Sequence, residues 1–169
     1  NLKKELPQAH LKPASGMVES LRILKEPEEI RILRKACKIA DECLSRLVKT
    51  IQVGIPEDEL MWNLLSIARE LGADGFSFPP IICFGKNTAD VHHHKEPNRL
   101  KKGQAALIDM GIEYKGYMTD MTRTFYTRKP SKIEQKIYTT VLEANERAIK
   151  AIAVGKKLSD IDKVARDFI

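Results

Sequence analysis

Apolar residues recur at helical spacing over the first third of the chain. Ile30, Leu33, Cys37, Ala40, Leu44, Leu47 and Ile51 form one stripe. Pro27 opens this helix, Glu28 and Glu29 occupy its first turn where the helix dipole favours acids, and Gly54 ends it. Pro56 opens a second helix, with Glu57, Asp58 and Glu59 in its first turn and Gly72 at its close. The pattern then changes to that of strands. Phe76 to Phe84 is apolar around Pro79 and Pro80, and Ala105 to Ile112 is apolar with a single acid. Gly116 marks a turn, and Tyr117 to Tyr126 forms the next strand. Residues 85–103 are polar and read as a loop. A helix starts at Pro130 and Ser131 and runs to about Val154, where Gly155 stops it; Ser159 and Asp160 cap a last helix. Met17 to Leu24 is a short strand candidate. Residues 1–20 read as a linker or the tail of an upstream domain, because Pro7, Pro13, Ser15 and Gly16 interrupt any period. The whole is an α+β chain.

The helix, Val-Gly, helix pattern at Val53-Gly54 returns about a hundred residues later at Val154-Gly155. The first unit, roughly 27–127, continues into strands. The second starts near residue 131 and reaches Ile169 inside its second helix. A helix pair without a sheet leaves apolar faces uncovered. The expectation is therefore a truncated domain over 21–169, prone to self-association as a homo-oligomer.

Composition narrows the class. With 169 residues, 43% hydrophobic and 31% charged, the chain suits one folded domain and excludes a disordered tail or a collagen-like repeat. No apolar run nears the roughly 20 residues that span a bilayer, and no secretion signal is visible. A cytoplasmic protein without a membrane partner is expected. The chain opens on Asn1, which predicts a processed or cut start. Cys37, Cys43 and Cys83 form no C-x-x-C pair and read as buried, reduced thiols. The net charge of +6 lies entirely in the second half: 13 basic and 13 acidic residues fall in 1–90, and 16 and 10 in 91–169. The basic residues are scattered without an aromatic ladder, so no nucleic-acid partner is expected.

Candidate chemistry centres on two acids. Asp109 interrupts the apolar run Ala105–Met110, where a charge is costly unless paired or bound to a cation. Asp120 lies in the next strand. A hairpin with Tyr114 and Lys115 as its two-residue loop sets the two carboxylates opposite each other, with Cβ atoms roughly 5 Å apart. A bulge at Gly116 shifts this by a residue. Facing carboxylates repel, so either one takes a proton or a cation sits between them. Oxygen ligands suit manganese, magnesium or calcium, and cobalt or zinc if an imidazole joins. Solvated edge acids, or an Asp paired with Arg123, remain open from spacing alone. His92, His93 and His94 occupy the preceding loop, where one could reach the acids as a proton donor or oxyanion stabiliser. Thr122 stands two residues after Asp120, hence on the same strand face, and suits a hydrogen bond to a metal-bound carboxylate.

The string IDMGIEYKGYMTDMTRTF, with GKNTADVHHHKEPNRLKKG before it, resembles the metal-binding hairpin and histidine loop of the M24-type metallopeptidases. These enzymes share the pita-bread fold. LRILKEPEEIRILRKA resembles the entry to the catalytic domain in their Xaa-Pro branch, which holds Xaa-Pro aminopeptidases and dipeptidases (prolidases). The resemblance implies a pita-bread hydrolase, two divalent ions with manganese foremost and cobalt or zinc possible, and peptide substrates with proline in second place. It makes Asp109 a ligand of one ion, Asp120 a bridge between both and His92 the catalytic histidine. His93 is a weaker candidate for substrate binding. Asn87 matches the histidine loop, whereas Val91 stands where proline often precedes the histidine. The family's remaining ligands, one His and two Glu, have no match after Phe125, so the isolated segment is expected to be inactive. The other readings are a non-catalytic pita-bread binding module, a metal-free creatinase-like hydrolase and a methionine aminopeptidase.

Overall fold

The structure, a computed structural model, describes residues 2–93 and 97–169. Two short helices come first, α1 (Leu2–Glu5) and α2 (Met17–Ile23), followed by α3 (Pro27–Val48) and α4 (Glu57–Glu70). Strands β1 (Gly75–Phe76) and β2 (Ile81–Phe84) lead into a 3-10 turn over Gly85–Ala89. Then come β3 (Ala105–Met110), β4 (Ile112–Tyr114), β5 (Tyr117–Met118) and β6 (Met121–Tyr126), before α5 (Lys132–Ala151) and α6 (Leu158–Arg166). The segment expected as a strand at 17–24 is the helix α2. An exposed strand without a neighbour would leave its backbone groups unpaired, whereas a helix pairs them within itself. All of residues 2–28 are exposed.

Two antiparallel sheets form, in the orders β1-β4-β5 and β2-β3-β6. They share one long hairpin that changes sheet at Gly111. A Cβ at Gly111 would run into the Thr119 carbonyl oxygen and Ser77 Oγ, so only glycine fits at this crossing. The helices α3 and α4 cover one face. Ile39, Ala40, Cys43 and Leu47 of α3 meet Leu60 and Leu64 of α4, and these pack on Ile82, Phe84, Ala106, Ile108 and Met110. Burial alternates along β3, with Ala106, Ile108 and Met110 buried and Ala105, Leu107 and Asp109 half-buried. The apolar run thus has a helix-covered face and a second, more open face.

Capping fixes the helices that carry this core. In α3, the Glu26 N–H donates to Glu29 Oε2 at 2.6 Å with Pro27 at the first helical position. The Tyr117 hydroxyl donates to Glu29 Oε1 at 2.7 Å, tying the helix start to β5. The Glu26 N–H, then Tyr117, hold the Glu29 carboxyl below its usual range. Gly54 and Gly155 both take left-handed conformations, φ 95° and 84°, between their helix pairs. The sequence repeat is thus matched in local geometry. Lys157, not Ser159, sits at the N-cap of α6. Unlike α3 and α4, helices α5 and α6 pack chiefly on each other. Their exposed apolar residues include Ile133, Ile137, Val141 and Leu158. Among the described residues, no helix is long and apolar enough to cross a membrane.

Candidate metal centre

The loop of the hairpin carrying both acids lies one residue later than expected, which moves the cross-strand partner of each residue by two. Its loop is Lys115-Gly116, closed by the Tyr114–Tyr117 pair. Both loop residues have positive φ, 50° and 77°, as a type I′ turn requires. Gly116 tolerates that conformation, which draws it out of the strand and into the turn. Asp109 consequently pairs with Thr122, not Asp120. The Thr119 N–H donates to the Ile112 carbonyl at 3.0 Å, which carries the same register through the sheet change. Asp120 falls opposite Gly111, on the diagonal from Asp109. The expectation of carboxylates directly across from each other is therefore corrected to diagonal neighbours two residues apart along the strand.

This register gives Thr122 a defined contact. Its Oγ1 donates to Asp109 Oδ1 at 2.8 Å. Asp109 is half-buried at the end of the central strand, and Asp120 is exposed. Among the described residues neither carboxylate forms an ion pair. The Arg123 guanidinium instead donates to the Thr122 carbonyl at 2.9 Å, so it does not neutralise the acids. Two oxygen-only side chains without a cation partner suit a hard divalent ion. They complete only part of a shell of about four to six donors, and no group of three or more His, Cys, Asp or Glu able to hold a metal occurs among the described residues. Asp109 and Asp120 thus fit one side of a metal centre.

The histidine loop divides its residues between solvent and core. His92 is exposed, and its backbone N–H donates to Asp90 Oδ1 at 3.0 Å. His93 turns inward, with its Nε2 3.1 Å from Glu57 Oε2. His94 lies outside the described residues. Glu57 is a residue that sequence reasoning treats only as a first-turn acid. It is buried, and it also accepts from the Phe84 N–H at 3.0 Å and from Asn98 Nδ2 at 2.9 Å. Three consecutive acids begin α4, and nothing in their order says which one points inward. A cavity of about 40 Å³ beside Glu57, His93 and Ile81 is too small for a substrate side chain.

The cysteines lie apart from this chemistry. Cys37 is exposed, correcting the expectation that all three are buried, and none forms a disulfide. Burial pushes the Cys43 thiol up to about 11. Cys83, beside Leu107 in the sheet register, is raised to about 11 by burial first and then by the negative charges of Glu57, Asp90 and Asp109.

The architecture is shared with solved peptidases. The chain superposes on the Xaa-Pro dipeptidase from Bacillus anthracis with a TM-score of 0.93 at 36% identity, covering 98% of this chain and 47% of that one. The prolidase from Pyrococcus horikoshii OT3 gives 0.94 at 31% identity, with 99% and 48% covered. The X-Pro aminopeptidase from Thermotoga maritima MSB8 gives 0.90 at 28% identity, again with 99% and 48% covered. In sequence, an uncharacterized peptidase of Staphylococcus aureus is 38% identical over 152 residues, 90% of this chain and 43% of that protein. The chain thus spans somewhat less than half the length of these relatives, and over that span it has their pita-bread architecture. The profile of metallopeptidase family M24 matches residues 31–169, so the chain belongs to that family.

Proposed function

We propose that this chain supplies one half of the active site of an Xaa-Pro peptidase, an aminopeptidase or a dipeptidase, and that a further segment of the complete protein supplies the other half. The observation that carries the reading is Asp109: a carboxylate at the end of a central strand, bonded by Thr122 and with no cation partner among the described residues. In this reading Asp109 and Asp120 would be the residues of this chain that hold the divalent ions, with manganese preferred. The bound ions would supply water activation and polarisation of the scissile carbonyl. Thr122, bonded to Asp109 Oδ1, would fix the orientation of the carboxylate that holds the ion. His92, exposed in its loop, donates to the oxygen that gains charge as the peptide carbonyl is attacked. His93 is turned toward Glu57, so its assignment to substrate binding is the weaker one.

The same reading makes the isolated segment inactive, because two carboxylates cannot complete the centre. The test is hydrolysis of an Xaa-Pro dipeptide and of a longer Xaa-Pro peptide by the complete protein with added manganese. Asp120→Ala should remove metal-dependent cleavage of either substrate while leaving the protein folded by circular dichroism. Full turnover by that variant would refute the assignment.

A further inference from the structure

Glu57 is the buried charged residue of the described fold, with its side chain 2% exposed. Burying a carboxylate is costly unless its oxygens are bonded, and here each is. Oε1 receives the Phe84 N–H and Asn98 Nδ2, and Oε2 lies 3.1 Å from His93 Nε2, whose ring is only 6% exposed. The three bonding partners come from the end of β2, from the segment leading into β3 and from the histidine loop. Glu57 itself begins α4. One side chain therefore joins the helical layer, the sheet and the loop. The strand it grips, β2, pairs through Ile81 with Asp109.

We infer that Glu57 is the positioning residue of the histidine loop. It holds His93 with the proton on Nε2 and thereby fixes the exposed His92 relative to the strand that carries Asp109. A carboxylate offers only acceptors, so the nitrogen facing it must be the protonated one. The consequence for hydrolysis rests on the Xaa-Pro peptidase reading; the tautomer does not.

Glu57→Gln separates the two. Glutamine has one acceptor end and one donor end. Keeping its oxygen on Phe84 and Asn98 retains two bonds and turns its NH₂ toward His93. His93 Nε2 must then accept, and the ring proton moves to Nδ1. Long-range ¹⁵N–¹H NMR of the chain at about pH 9, where ordinary imidazoles are neutral, should show a protonated His93 Nε2 in the wild type and Nδ1–H in Glu57→Gln. A wild-type Nε2 without a proton, or an unchanged tautomer in the variant, overturns the inference.

In the complete protein, Glu57→Gln should lower kcat by about 10- to 100-fold with KM and bound metal unchanged. An unchanged kcat overturns the positioning role. Absence of turnover in the wild type strikes the peptidase reading and leaves the tautomer result standing. If Glu57→Gln does not fold, His93→Gln, which keeps a donor facing Glu57, should retain more kcat than His93→Ala; equal losses overturn the role.

Discussion

A hydroxyl and a carboxylate 2.8 Å apart, Thr122 and Asp109, are the most specific polar contact at the candidate centre. Thr122 looks like an ordinary strand residue, but the register places it directly across from the acid. Its hydrogen bond occupies one lone pair of Asp109 Oδ1 and restricts rotation of the carboxylate. Thr122→Val keeps the β-branched shape and removes the donor. Manganese affinity of the complete protein, measured by calorimetry, should fall by roughly 10-fold or more, with an unchanged far-ultraviolet spectrum. Unchanged affinity would show that Asp109 needs no such support. The sequence exposes both acids and Thr122 as a shared-face set. It does not expose Glu57, because burial of one acid among three depends on how α4 docks onto β2.

At the scale of elements, the core helices α3 and α4 are legible in the sequence, whereas α2 reads as a strand and the hairpin turn reads one residue early. Pro27 opens α3, and Pro56 and Gly72 flank α4, each through its own backbone preference; α3 itself stops at Val48, well before Gly54, and leaves Ile51 outside the helix. The strand pattern alone is compatible with a loop at Tyr114-Lys115 or at Lys115-Gly116. The positive φ of Gly116 decides for the second, and that choice moved both acids relative to each other. The start of α5 gives a pH test. Arg128 contacts Glu134 at 2.8 and 3.0 Å, and Ser131 closes a capping box with it. The Arg128 guanidinium first, then the Ser131 hydroxyl and N–H, hold the Glu134 carboxyl down at about 2, from an ordinary 4.5. A lowered folded value means the contribution is present in full above 4.5 and is lost as pH falls toward 2. Protection of the first-turn amides of α5, taken relative to intrinsic exchange at each pH, should fall through that window, ahead of protection in α3. Constant protection down to pH 2 would contradict it.

For the whole molecule, the two helix pairs have different fates. The first is buried against the sheet, while the second keeps Ile133, Ile137, Val141 and Ile149 exposed on α5. The repeat in the sequence foretold this contrast, because its second copy has helices and no strands. Exposed apolar surface of this kind favours association. Sedimentation equilibrium of the 169-residue chain should show self-association that rises with concentration. A monodisperse monomer would mean that α5 and α6 satisfy each other.

The central claim is that Asp109 and Asp120 grip divalent cations. Electron paramagnetic resonance of manganese titrated into the complete protein tests it most directly. The account predicts a spin-coupled signal from two neighbouring ions in the wild type, and its loss in both Asp109→Asn and Asp120→Asn. The same coupled signal in both variants would place the metal elsewhere and contradict the account.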